Sequence, residues 1–195
     1  MVFRTSQAYN RFWEGSTSTH VMRAEWFDAC AGICAFCKHS SADKTVVLRF
    51  QHMLIRLFSM MHAQALAEIE DTDMNDVVDV RAFQYQLIDV EGIDEDSLAA
   101  IRDSDTRCEL IYQWIQQIVV ENISTGVLSI PPPILSRCFQ QLSNGMNAFH
   151  AAGQLSQVLF PFPYIFVTLH SQLQYGHVSQ RRSHPCSDCP GQRRR

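Results

Sequence analysis

The chain has 195 residues, 46% of them hydrophobic and 18% charged, which suits one folded domain with its own core and excludes a disordered chain. Its net charge is −4, which is the sum of +4 over residues 171–195 and −8 over the preceding residues. The preceding part is therefore a poor surface for binding the phosphates of a nucleic acid. The odd count of seven cysteines, most of them within helical patterns, argues against a secreted disulfide framework.

Apolar residues at three- and four-residue spacing predict an all-α fold with no strand. The first helix covers residues 2–37 and has a weak place at 15–19, where it is free to bend. A polar turn at 38–44 leads to a second helix at about 45–70, and an acidic loop follows to residue 93. Further helices are expected at about 94–103, 105–125 and 133–156.

The first two helices carry long apolar series. In the first helix the apolar and aromatic residues are Phe3, Tyr9, Phe12, Trp13, Val21, Ala24, Phe27, Ala31 and Cys34. In the second helix they are Val47, Phe50, Leu54, Leu57, Met61 and Ala65. Glycine is scarce, 8 of 195 residues, which agrees with a helical chain.

Two helix starts have capping signatures. Asp94 has the residue type and place of an N-cap, and Ile93 and Leu98 around it are spaced as a hydrophobic staple. Thr106 and Glu109 have the spacing of a capping box. The chain is therefore expected to start a short helix after Asp94 and a longer amphipathic helix near residue 105.

The stretch "SIPPPIL" is expected to separate two long helices. Residues that precede a proline are pushed towards extended geometry, and proline is tolerated in the first turn of a helix. Val127–Pro132 is therefore predicted to be extended, and the last long helix to begin at about Pro133.

The segment "VLFPFPYIFVTL", residues 158–169, has the composition of the first turns of a membrane helix. It is 12 residues long, shorter than the roughly 20 apolar residues that a complete span needs. From His170 onwards the sequence is polar and has no periodicity, so 171–195 is expected to be a disordered basic tail.

In the stretch "CAGICAFC", Cys30, Cys34 and Cys37 have CxxxCxxC spacing. The same spacing occurs in the radical-SAM motif, whose three thiolates hold a [4Fe–4S] cluster. That motif belongs in a loop after a strand, and this chain has no predicted strand. On a helix the three positions share one side, where free cysteines act as small hydrophobic residues. Buried structural cysteines are therefore favoured over an iron–sulfur enzyme.

Two other stretches resemble metal sites incompletely. Residues 71–82 begin like a calcium loop but lack the glycine at the sixth position and the glutamate at the twelfth. His184, Cys186 and Cys189 have the residue types of a zinc site without a second half-site. No catalytic motif is present, so the chain is expected to have no cofactor or metal and not to be an enzyme.

Three stretches resemble the bestrophin family. "FRTSQAYNRFWEG" is similar to the segment that ends that family's second membrane helix. The matching residues are Phe3, Arg4, Thr5, Tyr9, Arg11, Phe12, Trp13, Glu14 and Gly15. "LRFQHMLIRLFSMMHAQAL" resembles the following cytosolic helix. Residues 111–167 resemble the helix–proline–helix that leads to the third membrane helix, with Pro132, Pro133, Pro161 and Pro163 in the matching pattern.

The resemblance implies that residues 1–170 are a partial channel domain, closest to the bestrophin-like proteins of algae and other protists. The first membrane helix and most of the second would lie upstream of Met1. The third would begin at Pro161 and be abandoned near His170, and the fourth and the acidic calcium clasp of animal members would be absent.

The resemblance also implies a function: the intact family forms homopentameric anion channels that pass chloride and often bicarbonate. The expected location is a membrane, either the plasma membrane or a chloroplast or thylakoid membrane. Ile130, with Val127 and Leu128 beside it, is the expected apolar aperture of the pore, and the rival interpretation makes Ile130 a core residue. The alternative function is a soluble helical interaction protein derived from a channel gene, without transport activity.

Overall fold

The computed structural model describes residues 2–70 and 85–157. Over these residues the chain forms helices and no strand, which confirms the all-α prediction. The helices are α1 Val2–Phe36, α2 Lys44–Glu70, α3 Glu95–Asp103, α4 Arg107–Ser124 and α5 Pro132–Gln157. Short 3₁₀ turns cover Cys37–His39 and Val90–Gly92. The expected boundary between channel domain and tail, at residue 170, lies outside the described residues, as does the segment 158–169.

Helices α1 and α5 pack side by side in opposite directions over most of their length. Near the start of α1, the Arg11 guanidinium donates to the Leu155 carbonyl near the end of α5. Further along, Trp26 Nε1 donates to the Leu142 carbonyl at 3.3 Å. Close approach requires a small residue, and Gly145 faces Trp26 where a Cβ atom would lie only 2.3 Å from the indole nitrogen. The antiparallel pairing of α1 and α5 is thus held at two places along the helices.

Helix α2 lies in the centre and contacts three other long helices. Gln51 Nε2 donates to the Cys34 carbonyl of α1 at 3.2 Å. Ser156 Oγ of α5 donates to the Ile69 carbonyl at 2.8 Å. Helix α4 packs along the remaining side. Ten side chains of α2 are consequently buried: Phe50, Leu54, Leu57, Phe58, Met60, Met61, Ala63, Gln64, Ala65 and Ala67.

The two predicted helix caps have different outcomes. The Asp94 carboxylate accepts from the Ser97 amide at 2.9 Å, which confirms the N-cap of α3. The capping box at Thr106 is wrong, because the Thr106 side chain caps no amide in the described part of the chain. A carboxylate from α2 takes that place instead: Glu68 Oε1 accepts from the Cys108 amide, at 3.3 Å, in the first turn of α4.

The weak place expected at 15–19 lies inside continuous helix. The Thr17 and Thr19 hydroxyls donate to the carbonyls four residues earlier, Trp13 and Gly15, at 2.8 and 3.0 Å. These hydrogen bonds use the polar side chains without interrupting the backbone pattern.

The connection between α4 and α5 differs in part from the extended segment predicted at Val127–Pro132, because Pro132 already belongs to α5 and Leu128 bonds back to α4. Gly126 has a φ of 77°, the left-handed conformation that ends many helices, and the Leu128 amide turns back to the Asn122 carbonyl at 3.0 Å. The Gly126 carbonyl also accepts from the Ser40 and Ser41 hydroxyls at 3.3 and 3.2 Å. The segment is therefore folded over the end of α4 and tied to the turn after α1.

Candidate functional site

Helix α1 has one buried apolar face and carries exposed aromatic rings on another side. Met22, Trp26, Ala29 and Ile33 recur every three to four residues and are all buried in the core. The second face, here called the aromatic face, consists of Tyr9, Phe12, Trp13 and Phe27, which are 62%, 71%, 63% and 74% exposed. At 3.6 residues per turn these four rings fall within roughly a 100° arc, turned about 120° from the buried face, and the polar residues Ser16, His20 and Arg23 lie in the same arc between Trp13 and Phe27.

The aromatic face is ordered by contacts within the helix itself. The Tyr9 and Trp13 rings stack, with centroids 6.4 Å apart and planes 15° from parallel. They border an open depression of about 500 Å³ lined by Tyr9, Asn10, Trp13, Glu14, Thr17 and Ser18. All six lining residues belong to α1, whereas ligand and catalytic pockets are usually enclosed by several elements. The depression is therefore a contact surface and not an enclosed site.

The residues of the bestrophin-like motif divide between this face and the α1–α5 contact. Tyr9, Trp13 and Glu14 are exposed, while Arg11 is half-buried and bonded to the Leu155 carbonyl. For Arg4 the structure describes the helical backbone and not the side chain. Pro132 and Pro133 form the exposed first turn of α5, and Pro161 and Pro163 lie outside the described residues.

The three candidates for a pore aperture occupy two environments. Val127 and Leu128 are 0% and 1% exposed and belong to the hydrophobic core of the chain. Ile130 is half-buried and packs against that core. Ile130 is therefore the member of the trio with surface left for another contact.

Two cysteines of the CxxxCxxC stretch, Cys30 and Cys34, lie near the end of α1, and Cys37 begins the 3₁₀ turn that follows it. Cys30 and Cys34 are half-buried, and Cys37 is buried, with its thiol donating to the Ile33 carbonyl at 3.5 Å. The described part of the chain holds no group of three or more ligating side chains that could bind a metal ion. The calcium-like loop and His184, Cys186 and Cys189 lie outside the described residues.

Two side chains of α2 hold buried polar atoms: His62, which lies near an apolar face and was expected to be a satisfied core or interface residue, and Gln64, which the sequence did not single out. His62 Nε2 and Gln64 Oε1 find no hydrogen-bond partner among the described residues. The imidazole lies edge-on to Trp26, with centroids 6.5 Å apart, and burial, helped by Arg23, lowers the pKa of His62. Burial also raises the pKa of Glu68, which accepts from Gln64 Nε2 at 2.9 Å.

The sequence named the aromatic residues of α1 but missed most of its buried residues. Met22, Trp26, Ala29 and Ile33 repeat at 0, 4, 7 and 11, a regular helical series that was available to read. The other aromatic residues of the helix, Tyr9, Phe12, Trp13 and Phe27, form a second series that made this one hard to recognise. A helix with apolar residues on two sides has little net amphipathic direction, so periodicity alone did not separate the covered face from the open one.

Comparison with protein-family profiles, curated proteins and solved structures found no match to this chain. Of the helices that the structure describes, none is both long enough and apolar enough to cross a membrane.

Proposed function

We propose that this chain is part of a bestrophin-like anion-channel subunit that packs against neighbouring copies of itself through the aromatic face of α1. The permeant ions would be chloride or bicarbonate, the assembly a homopentamer and the location a membrane. The single observation that carries the proposal is the set of exposed aromatic rings on α1, because a helix that covers one apolar face in its own core and exposes large aromatic side chains elsewhere is suited to bind a neighbour.

The size of the aromatic face fits part of a protein interface. A buried aromatic side chain contributes about 150–250 Å² of contact area, so four rings that are roughly two-thirds exposed offer about 500 Å². A stable interface buries about 800 Å² on each partner. The aromatic face would therefore form the centre of an interface whose rim comes from adjoining residues.

The α1–α5 pairing also supports the proposal. The bestrophin-like stretches at 3–15 and 111–167 are far apart in sequence, yet Arg11 of the first bonds to Leu155 of the second. Gly15 of the first stretch lies against the same leucine, with a Cβ there at 4.0 Å from its side chain. Two stretches chosen for their resemblance to one family thus form one contact.

The assembly is tested by measuring the mass of the purified full chain in mild detergent with light scattering. We expect a particle of five times the 22.3 kDa chain mass. Replacing Phe12 and Phe27 by glutamine should dissociate it without loss of helix content. Val21→Gln is the matched control, because Val21 is an exposed apolar residue of α1, 43% exposed, outside the aromatic face. A monomeric wild type, or equal effects of both variants, would contradict the proposal.

The same face favours a second candidate, a helical interaction protein without transport activity. The two candidates differ in the permeability of the assembly. Pentamers of the chain with the membrane helices that the resemblance implies restored, if they pass chloride or bicarbonate in liposomes, would support the channel subunit. Assemblies that pass neither anion, or a stable complex with a different protein through the aromatic face, would favour the interaction protein.

A further inference from the structure

Residues 85–92, here called the strap, run back along α2 and are attached to side chains of that helix. At the start of the strap, the Tyr85 hydroxyl donates to Glu70 Oε2, on the last residue of α2, at 2.5 Å. Further along, the Ile88 amide donates to Ser59 Oγ at 3.1 Å. The attachment points move towards the start of α2 as the strap proceeds, so the strap runs antiparallel to the helix.

Arg56 of α2 holds the far end of the strap. Its Nε donates to Asp89 Oδ2 at 2.9 Å, its Nη2 donates to the same oxygen, and its Nη1 donates to the Gly92 carbonyl at 3.3 Å. Asp89 has a φ of 52°, a left-handed conformation that Asp tolerates better than most residues. The side chains of Arg56 and Asp89 are 19% and 53% exposed, so dissolved salt screens the attraction between them.

The strap passes over a buried side of α2. Met60, Ala63 and Ala67 follow Arg56 at three- and four-residue steps, so they share its side of the helix, and all three are buried. They lie between the points at which Tyr85 and the Arg56-bound end of the strap are attached. Ala65 is turned about 200° from Ala63, onto the opposite side of α2, and is buried as well.

We propose that the strap opens over α2 while the long helices stay folded, and that Arg56 is the latch through which ionic strength controls the opening. No described side chain of the strap is fully buried, and segments with few buried contacts open at a lower free energy than a core does. The open state uncovers the side of α2 that carries Met60, Ala63 and Ala67. This device depends on contacts within one chain and not on the assembly proposed above.

The test places a thiol beneath the strap and measures how fast N-ethylmaleimide labels it in the folded full chain. Ala63→Cys is the probe, and Ala65→Cys is the matched probe on the opposite side of α2. The tryptic peptide 57–81 contains no native cysteine, so its mass reports the label at either position. We expect labelling of Ala63→Cys to be about tenfold faster, because it needs the strap to open and not the core. Ala67→Cys, on the strap side, is a second probe.

Three variants of the Ala63→Cys chain test the latch. Arg56→Met should raise the labelling rate about tenfold, because it removes a charged and a neutral hydrogen bond. Gly92→Ala should also raise it, since a Cβ there would lie inside contact distance of the Arg56 guanidinium while both charges remain. Arg49→Met is the matched control, an exposed arginine two turns earlier on the same side of α2, and should change the rate less than about twofold.

Salt tests the signal. Raising it from about 0.05 M to about 0.5 M should speed labelling of Ala63→Cys roughly two- to threefold when Arg56 is present, and not in Arg56→Met. Circular dichroism confirms that each variant is folded before the comparison. Equal labelling of Ala63→Cys and Ala65→Cys, or equal effects of Arg56→Met and Arg49→Met, would overturn the proposal. So would the same response to salt with and without Arg56.

Discussion

Replacing Gly145 by alanine should break the closest contact between α1 and α5. An added Cβ would lie 2.3 Å from Trp26 Nε1 and 2.4 Å from Trp26 Cδ1, far inside contact distance. The indole cannot move without losing its packing and its hydrogen bond, because Trp26 is only 2% exposed and its nitrogen donates to the Leu142 carbonyl. The helices must separate, or the indole must leave its site.

The magnitude follows from three opposing effects. Overpacking a core costs about 1–3 kcal/mol. Losing the Trp26 hydrogen bond costs about 1 kcal/mol more. Alanine in place of a helical glycine gives back about 1 kcal/mol. The net loss of unfolding free energy is about 1–3 kcal/mol, which for a chain of this size lowers the melting temperature by roughly 3–10 °C.

Gly153→Ala is the matched control on the same helix. A Cβ at Gly153 would meet no described atom within 4 Å, so only the helical propensity changes. We expect this variant to gain about 0.5–1 kcal/mol. Urea unfolding followed by circular dichroism and by tryptophan fluorescence measures both changes. If the two variants shift the free energy of unfolding in the same direction by similar amounts, the close Trp26–Gly145 packing is refuted.

Three further variants test other parts of the structure. His62→Phe removes a buried nitrogen that has no described hydrogen-bond partner. Because the pKa of His62 is lowered in the folded chain, the stability of the wild type should fall relative to that of the variant as the pH drops below about 6.5. Parallel pH profiles of the unfolding free energy would contradict this. Glu68→Gln should gain stability relative to the wild type as the pH rises from about 4 to about 8, because burial raises the pKa of Glu68 and so penalises its ionised form. A difference in unfolding free energy between the two proteins that stays constant with pH would show that the charge is not penalised. Ile130→Ala should lower the free energy of unfolding by about 1–2 kcal/mol, since the side chain is only half-buried, and should change anion permeability in channels whose missing membrane helices have been restored. A stability loss with unchanged permeability would leave Ile130 as a core residue.

The helices could be predicted closely from the sequence because their signals are local. The spacing of apolar residues gave the elements, and the proline run placed the start of α5 within one residue of Pro132. Asp94 caps its own helix, so its role is contained in a few adjacent residues. The cap of α4 could not be predicted in this way, because Glu68 reaches Cys108 from another helix.

The candidate site was less predictable because it depends on what each face of α1 contacts. The sequence identifies Tyr9, Phe12 and Trp13 as aromatic, but exposure is decided by the packing of α5 against the opposite side of α1. The burial of Val127 and Leu128 likewise follows from the fold of the α4–α5 connection. Both features arise from contacts between distant parts of the chain, which single-sequence periodicity does not contain.

The pairing of α1 with α5 has a consequence for synthesis. Arg11 is made 144 residues before Leu155, its partner on α5. At about 5–20 residues per second, a ribosome needs roughly 7–30 s to cover that distance. During this time Met22, Trp26 and Ile33 lack α5, which covers them in the folded chain, and the aromatic face is open as well. The nascent chain thus presents both apolar sides of α1 at once, which makes it a substrate for chaperones and prone to aggregation until translation passes α5.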